Sequence, residues 1–187
     1  PLHIACEIGS SFDSRTFRLL TTHEAVRSKD RTGRLPLHQY CDSGLGYALD
    51  LEVVRILVEE YPESVNEQDR RGVTPLHLAV SEVNQGDFPA IQFLIESCPQ
   101  TLNTVDICGR SPLHVACKFY DHVDPFQLEV VRFLVSKCTG LLESDSAGDC
   151  GTPLHYLCQQ DDHDWKEEYL EVLAISEAAV KARDSHG

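Results

Sequence analysis

The sequence predicts an all-α solenoid of stacked helix–turn–helix units, and two observations carry that prediction. The tripeptide Pro-Leu-His occurs five times, beginning at Pro1, Pro36, Pro75, Pro112 and Pro153, in steps of 35, 39, 37 and 41 residues. An apolar run follows later in each unit, most plainly Glu52 to Val58 and its near copy Glu129 to Val135. A period of about 20 to 50 residues marks units that share one continuous core by stacking. Such arrays usually bind other macromolecules rather than catalyse reactions.

Each unit opens on a turn. Asp30 to Gly33, Asp69 to Gly72 and Asp106 to Gly109 share the form Asp-x-x-Gly, in which Gly accepts positive φ and Asp bonds its neighbouring backbone. A hydroxyl residue then precedes the Pro at Thr74, Ser111 and Thr152, where it can accept from free N–H groups of the first helical turn. Pro at the first helical position gives up a donor that has no partner there. The second unit places Leu35 at the cap position, which predicts a less firmly started helix. The later runs, including Ala90 to Ile95, are rich in β-branched residues and fit buried strands by periodicity alone. Their repeated placement after a capped first helix reads as a second helix.

These features resemble the ankyrin repeat family. The match is carried by Asp69-Arg70-Arg71-Gly72-Val73-Thr74-Pro75-Leu76-His77-Leu78-Ala79, with counterparts from Asp106 to Ala116 and from Asp30 to Cys41. The resemblance implies an ankyrin-repeat solenoid in which β-hairpin turns join the helix pairs, here with lengthened inter-helix turns. The expected units are 1–29, 30–68, 69–105, 106–144 and 145–183, with 184–187 starting another, so that the chain reads as cut from a longer array. Glu60 to Val65 is similar to the outer-helix exit of the large ankyrin arrays of diatoms and related microalgae. The family also implies that His38, His77 and His114 bond backbone around the hairpin and stiffen the unit. Asn66 and Asn103 match the asparagine that ankyrin repeats present to iron-dependent asparaginyl hydroxylases, the chain then being substrate; support of the turn before the hairpin is the structural alternative, and the favoured one.

The eight cysteines read as packing residues. Cys6, Cys41, Cys117 and Cys158 follow the motif histidine by three residues, and Val80 holds that place in the third unit. A position that accepts Cys or Val is small and apolar. His-x-x-Cys offers two ligands where zinc needs four, and stacked helices roughly 8 to 10 Å apart do not easily close one site from two pairs. Cys108 and Cys150, in the hairpins, are the candidates for thiol reactivity. Asp161 to Asp164 lacks the Gly turn and closing Glu of a calcium loop. No metal, no cofactor and no catalytic residue is expected. The same His recurs five times without a nucleophile or carboxylate partner, as a structural role requires.

Charge supplies the functional expectation. The net charge of −14 argues against nucleic-acid binding through a basic face, and no run of 18 apolar residues supports a membrane segment. The chain is expected to be cytoplasmic or nuclear. Arg31, Arg34, Arg70, Arg71 and Arg110, five of the 16 Lys and Arg, cluster in three hairpins. Asp42, Asp50, Glu82, Asp87, Asp121, Asp124, Asp161, Asp162 and Asp164 occupy the inter-helix turns. The ankyrin architecture sets these groups at opposite ends of each unit, which implies basic fingertips and an acidic far rim, either as recognition surfaces or as turns kept polar for solubility. The extra residues of the units also fall in those turns, marking a lengthened inner helix or a second recognition edge.

The reading is therefore a non-catalytic protein–protein interaction scaffold. Its candidate contacts are Arg31, Arg34, Arg70, Arg71, Val73, Ile107 and Arg110 at the hairpins and inner-helix face, with Glu82, Lys118 and Phe119 on the inserted edge. Its partner is another protein with an acidic patch facing the hairpin tips. The alternative is an adaptor segment of a larger signalling enzyme, such as a kinase or ubiquitin ligase, whose catalytic domain lies elsewhere.

Overall fold

The computed structural model describes residues 2–8, 14–42, 48–118, 125–137 and 151–153. The inner helices are α1 (Leu2–Ile8), α4 (Pro36–Tyr40), α6 (Pro75–Ala79) and α8 (Pro112–Lys118), and the outer helices are α2 (Ser14–Leu20), α5 (Leu51–Glu60), α7 (Phe88–Ser97) and α9 (Pro125–Lys137). A short helix α3 (His23–Arg27) follows α2. Single 3₁₀ helices at Pro62–Asn66 and Pro99–Asn103 take the equivalent place after α5 and α7. Inner helices pack on inner helices in the order α1, α4, α6, α8, and outer on outer in the order α2, α5, α7, α9.

The apolar pattern explains the stacking. The outer helices bury Val53, Val54 and Leu57, then Ile91, Leu94 and Ile95, then Val130, Val131 and Leu134. That spacing of one and four residues lines one face of a helix. The β-branched runs are thus helical, because their burial is one-sided. Leu37, Leu76 and Leu113 of the motif are at most 1% exposed and fill the seam between layers. Cys6, Cys41 and Cys117 pack among them with no exposure, and burial raises all three thiols far above the ordinary value, Cys117 to about 12.

Each hairpin is a three-residue loop closed by backbone. The Asp30 and Asp69 N–H groups donate to the carbonyls of Arg34 and Val73, both at 2.9 Å, and Asp106 does the same to Arg110 at 2.9 Å. The loop ends on a left-handed glycine, with φ of 83° at Gly33, 74° at Gly72 and 77° at Gly109. The Asp side chain organises the loop from inside: Asp69 Oδ1 accepts from the N–H groups of Arg71 at 2.8 Å and Val73 at 3.0 Å. No strand forms among the described residues. The hairpins stack through single bonds, Arg70 N–H to the Thr32 carbonyl at 3.0 Å and Ile107 N–H to the Arg71 carbonyl at 2.9 Å.

The motif histidine joins cap to stack. Its Nε2 meets a carbonyl of the next unit: His3 reaches Arg34 at 3.0 Å, His38 reaches Val73 at 3.1 Å and His77 reaches Arg110 at 2.9 Å. The Gly151 backbone lies against the His114 ring and favours its protonated form. A carbonyl only accepts, so Nε2 carries the proton and, in a neutral ring, Nδ1 is an acceptor. Nδ1 takes the backbone N–H of Leu35, Thr74 and Ser111, each at 3.2 Å. It also takes the hydroxyls of Thr74 and Ser111 at 2.8 Å. Those hydroxyls therefore donate to imidazole, beyond the accepting role expected of a cap. At Leu35 the hydroxyl bond is missing while the backbone half of the cap survives, and Leu35 is fully buried.

The lengthened turns are built into the core. Inner helices α4 and α6 are only five residues long, so the additional residues do not extend them. Instead Leu49 and Val83 turn inward. Asp87, fully buried, accepts the N–H groups of Leu49 and Asn84 at 2.6 Å, tying one inserted turn to the next. Buried Gln127 on α9 donates to the carbonyls of Val80 at 3.1 Å and Ala116 at 2.9 Å, satisfying the ends of two inner helices at once. On the opposite, outer margin, Arg27 lies 4.5 Å over the Tyr61 ring and Arg55 lies 4.6 Å over Phe93, each cation reaching forward one unit.

Two outcomes follow for stability. A Cβ on Gly72 would stand 3.0 Å from the Asp106 Cα and 3.1 Å from the Ile107 nitrogen, at positive φ. Gly72→Ala is expected to cost about 1 to 3 kcal/mol in urea unfolding, and an unchanged midpoint would refute the close approach of the hairpins. Burial lowers the imidazole pKa of His77, and that of His38 and His114 from 6.5 to about 4. The unfolded chain then binds protons that the folded chain refuses. Stability is complete above pH 6.5 and falls as the pH drops toward 4, by on the order of 3 kcal/mol for His38 alone. Urea midpoints that stay flat between pH 7 and 5 would contradict neutral, buried rings.

Candidate functional site

The hairpins sort their side chains into columns, because equivalent loop positions are stacked by the backbone bonds between units. The position after the Asp holds Arg31, Arg70 and Ile107, and the next holds Thr32, Arg71 and Cys108. All six are exposed, Ile107 to 71%. No carboxylate among the described residues pairs with Arg31, Arg70 or Arg71. Val105, at 47% exposure, flanks this surface.

The position four residues after the Asp behaves differently. It holds Arg34, Val73 and Arg110, whose carbonyls receive the histidine bonds. Arg34 Nη1 donates to Asp42 at 2.8 Å and its Nε lies 3.4 Å from Asp69, a carboxylate only 1% exposed. Arg110 grips Asp106 through Nε at 2.8 Å and Nη2 at 2.6 Å. Burial pushes the Asp106 carboxyl upward, yet the Arg110 bonds and charge hold it below the usual carboxylate range. Arg34 and Arg110 are therefore committed to ion pairs inside the array and are removed from the set of open fingertip residues. Val73 is half-buried beside them.

The acidic rim is corrected too. Asp42 meets Arg34, so the basic and acidic groups are not segregated at that unit. Asp50 caps α5 by accepting the Glu52 N–H at 2.8 Å, and Asp87 is buried. Glu82 and Lys118 are exposed at the ends of α6 and α8. Phe119 lies outside the described residues, as do Asp121, Asp124, Asp161, Asp162, Asp164, Cys150 and Cys158. Asn66 and Asn103 are exposed at the ends of the two 3₁₀ helices, and Asn66 Oδ1 accepts from the Thr104 hydroxyl at 3.1 Å. Sequence reading placed Asp87 on the acidic rim and missed its burial, and it missed Gln127 altogether. No group of three or more potential metal ligands occurs among the described residues. The inner helices show little to solvent: Gln39 and Leu78 are half-exposed at the place where Val115 is buried.

The two columns separate by mutation. Arg34→Ala strands Asp69 and Asp42 and is expected to cost about 1 to 3 kcal/mol in urea unfolding. Arg70→Ala, at the open tip, should stay within about 0.5 kcal/mol of the parent. Equal costs would erase the distinction between structural and open arginines.

Among the described residues no helix is long and apolar enough to cross a membrane. Comparison with curated proteins finds no match. A family model described as ankyrin repeats (3 copies) matches residues 2–97 and again 82–184. Members of that family are generally protein–protein interaction modules and typically non-catalytic. With nearly the whole length covered and the helix pairs, hairpins and histidine links in place, this chain belongs to the ankyrin repeat family.

Proposed function

We propose that this chain is a non-catalytic scaffold that holds an acidic patch of a partner protein against its hairpin tips. Arg31, Arg70 and Arg71 supply the charge, Ile107 supplies an apolar contact, and the inner-helix face around Gln39 and Leu78 forms the margin. The observation that carries the reading is three exposed guanidinium groups, of Arg31, Arg70 and Arg71, that pair with no carboxylate among the described residues, on a chain of net charge −14. The fold does not consume them, and Arg pairs bidentately with carboxylates and is enriched where binding energy concentrates. The backbone bonds between hairpins hold the tips in place before binding, which limits the entropy lost on association.

The test is capture from a matched lysate by the parent and by the Arg31→Glu, Arg70→Glu, Arg71→Glu triple variant, with circular dichroism on both. A partner retained by the parent, released by salt and lost by the folded variant is the expected result. Equal retention would move recognition to the inner helices or to the inserted edge at Glu82 and Lys118.

A further inference from the structure

The columns specify more than a basic patch. Equivalent tip positions run Arg31, Arg70, Ile107 along the stack, with Arg71 beside Arg70 on the middle tip. Successive tips are fixed in register by the Arg70 to Thr32 and Ile107 to Arg71 backbone bonds, at 3.0 and 2.9 Å. The Arg70 stem is further settled over Gly33, where a Cβ would come within 3.1 Å of its Cγ. Packed helices lie about 8 to 10 Å apart, and a segment extended as a polyproline II helix advances about 3.1 Å per residue with three residues per turn, so that every third side chain faces the same way. An extended segment crossing the tips therefore meets a new one at about every third residue.

We infer that the partner surface is an extended peptide segment with the order acidic, two spacers, acidic, two spacers, apolar. The first acidic side chain pairs with Arg31, the second with Arg70 and Arg71, and the apolar one covers Ile107. This inference rests on the fingertip reading above and adds register and order to it. Charge complementarity selects the occupant: a basic or neutral segment leaves three guanidinium groups unpaired, and a uniformly acidic one leaves Ile107 uncovered. The groove lined by Ile95, Glu96, Pro99, Leu102 and Lys137 carries one charge of each sign and so selects no ligand by charge.

The experiment is an NMR titration of the labelled full chain with three short amidated peptides of identical composition. Two carry Glu, Glu and Leu at every third position with Ser and Gly between, one in each chain direction. The third places Glu, Glu and Leu side by side. One of the spaced peptides is expected to shift the amides of residues 31–33, 70–72 and 107–109 and to bind about five to ten times more tightly than the contiguous one. Arg31→Glu with Arg70→Glu should abolish that binding, whereas Ile107→Ser should remove the preference for Leu over Ser at the last position. Equal affinity for spaced and contiguous peptides, still lost on charge reversal, overturns the register while the fingertip reading stands. No tip shifts with any peptide overturns the extended segment, and the lysate capture then decides separately whether a folded acidic surface is bound there.

Discussion

Everything in this array depends on a neutral imidazole with a different partner at each nitrogen. Nδ1 accepts from the start of its own helix, and Nε2–H donates to the last hairpin residue of the next unit. One ring thus caps a helix and measures the distance to its neighbour. The arrangement works only without a second proton, since a cationic ring has no acceptor to offer the cap. Dry surroundings keep it neutral, and the buried Leu and Cys positions around the motif supply them. An isolated unit of two short helices could not, which is why the units stabilise one another only in a stack.

The same economy governs the polar groups that the lengthened turns bring inside. Short inner helices leave carbonyls and N–H groups near the core, and each left unsatisfied would cost about 1 to 3 kcal/mol. Asp87 takes the donors of the inserted segment, and Gln127 takes the acceptors at the ends of α6 and α8. The outer margin is tied differently, by cations lying on the aromatic rings of the following unit. The contacts along the stack therefore include histidine links and backbone bonds at the hairpins, amide and carboxylate links at the inserted turns, and cation–π contacts outside.

Function is what those contacts leave over. Arg34 and Arg110 find carboxylates within the array, Asp42 and Asp69 for the first and Asp106 for the second, and are used within the fold. Arg70 and Ile107 bond the previous unit through backbone, and their side chains are exposed. Arg31, Arg70, Arg71 and Ile107 are exposed at positions held by the hairpin backbone bonds. Such positions are where a repeat protein places specificity.

The sequence alone determined the architecture, because each local signal repeats in step. Five Pro-Leu-His motifs, three Asp-x-x-Gly turns and matched apolar runs recur in one order, and that order reads the β-branched runs as helices. It also marked the hairpins as the place where the arginines gather, and the Cys positions as packing sites. What it left open was the fate of individual charged side chains, since an Arg at a tip and an Arg four residues from the Asp look alike along the chain. Only the tertiary structure decided that Arg34 and Arg110 turn back onto Asp69, Asp42 and Asp106, and that Asp87 and Gln127 go inside. Those outcomes depend on partners that the folded chain brings within hydrogen-bond distance, some close along the chain, as Asp106 is to Arg110, and some in a neighbouring unit, as Asp69 is to Arg34 and Leu49 is to Asp87.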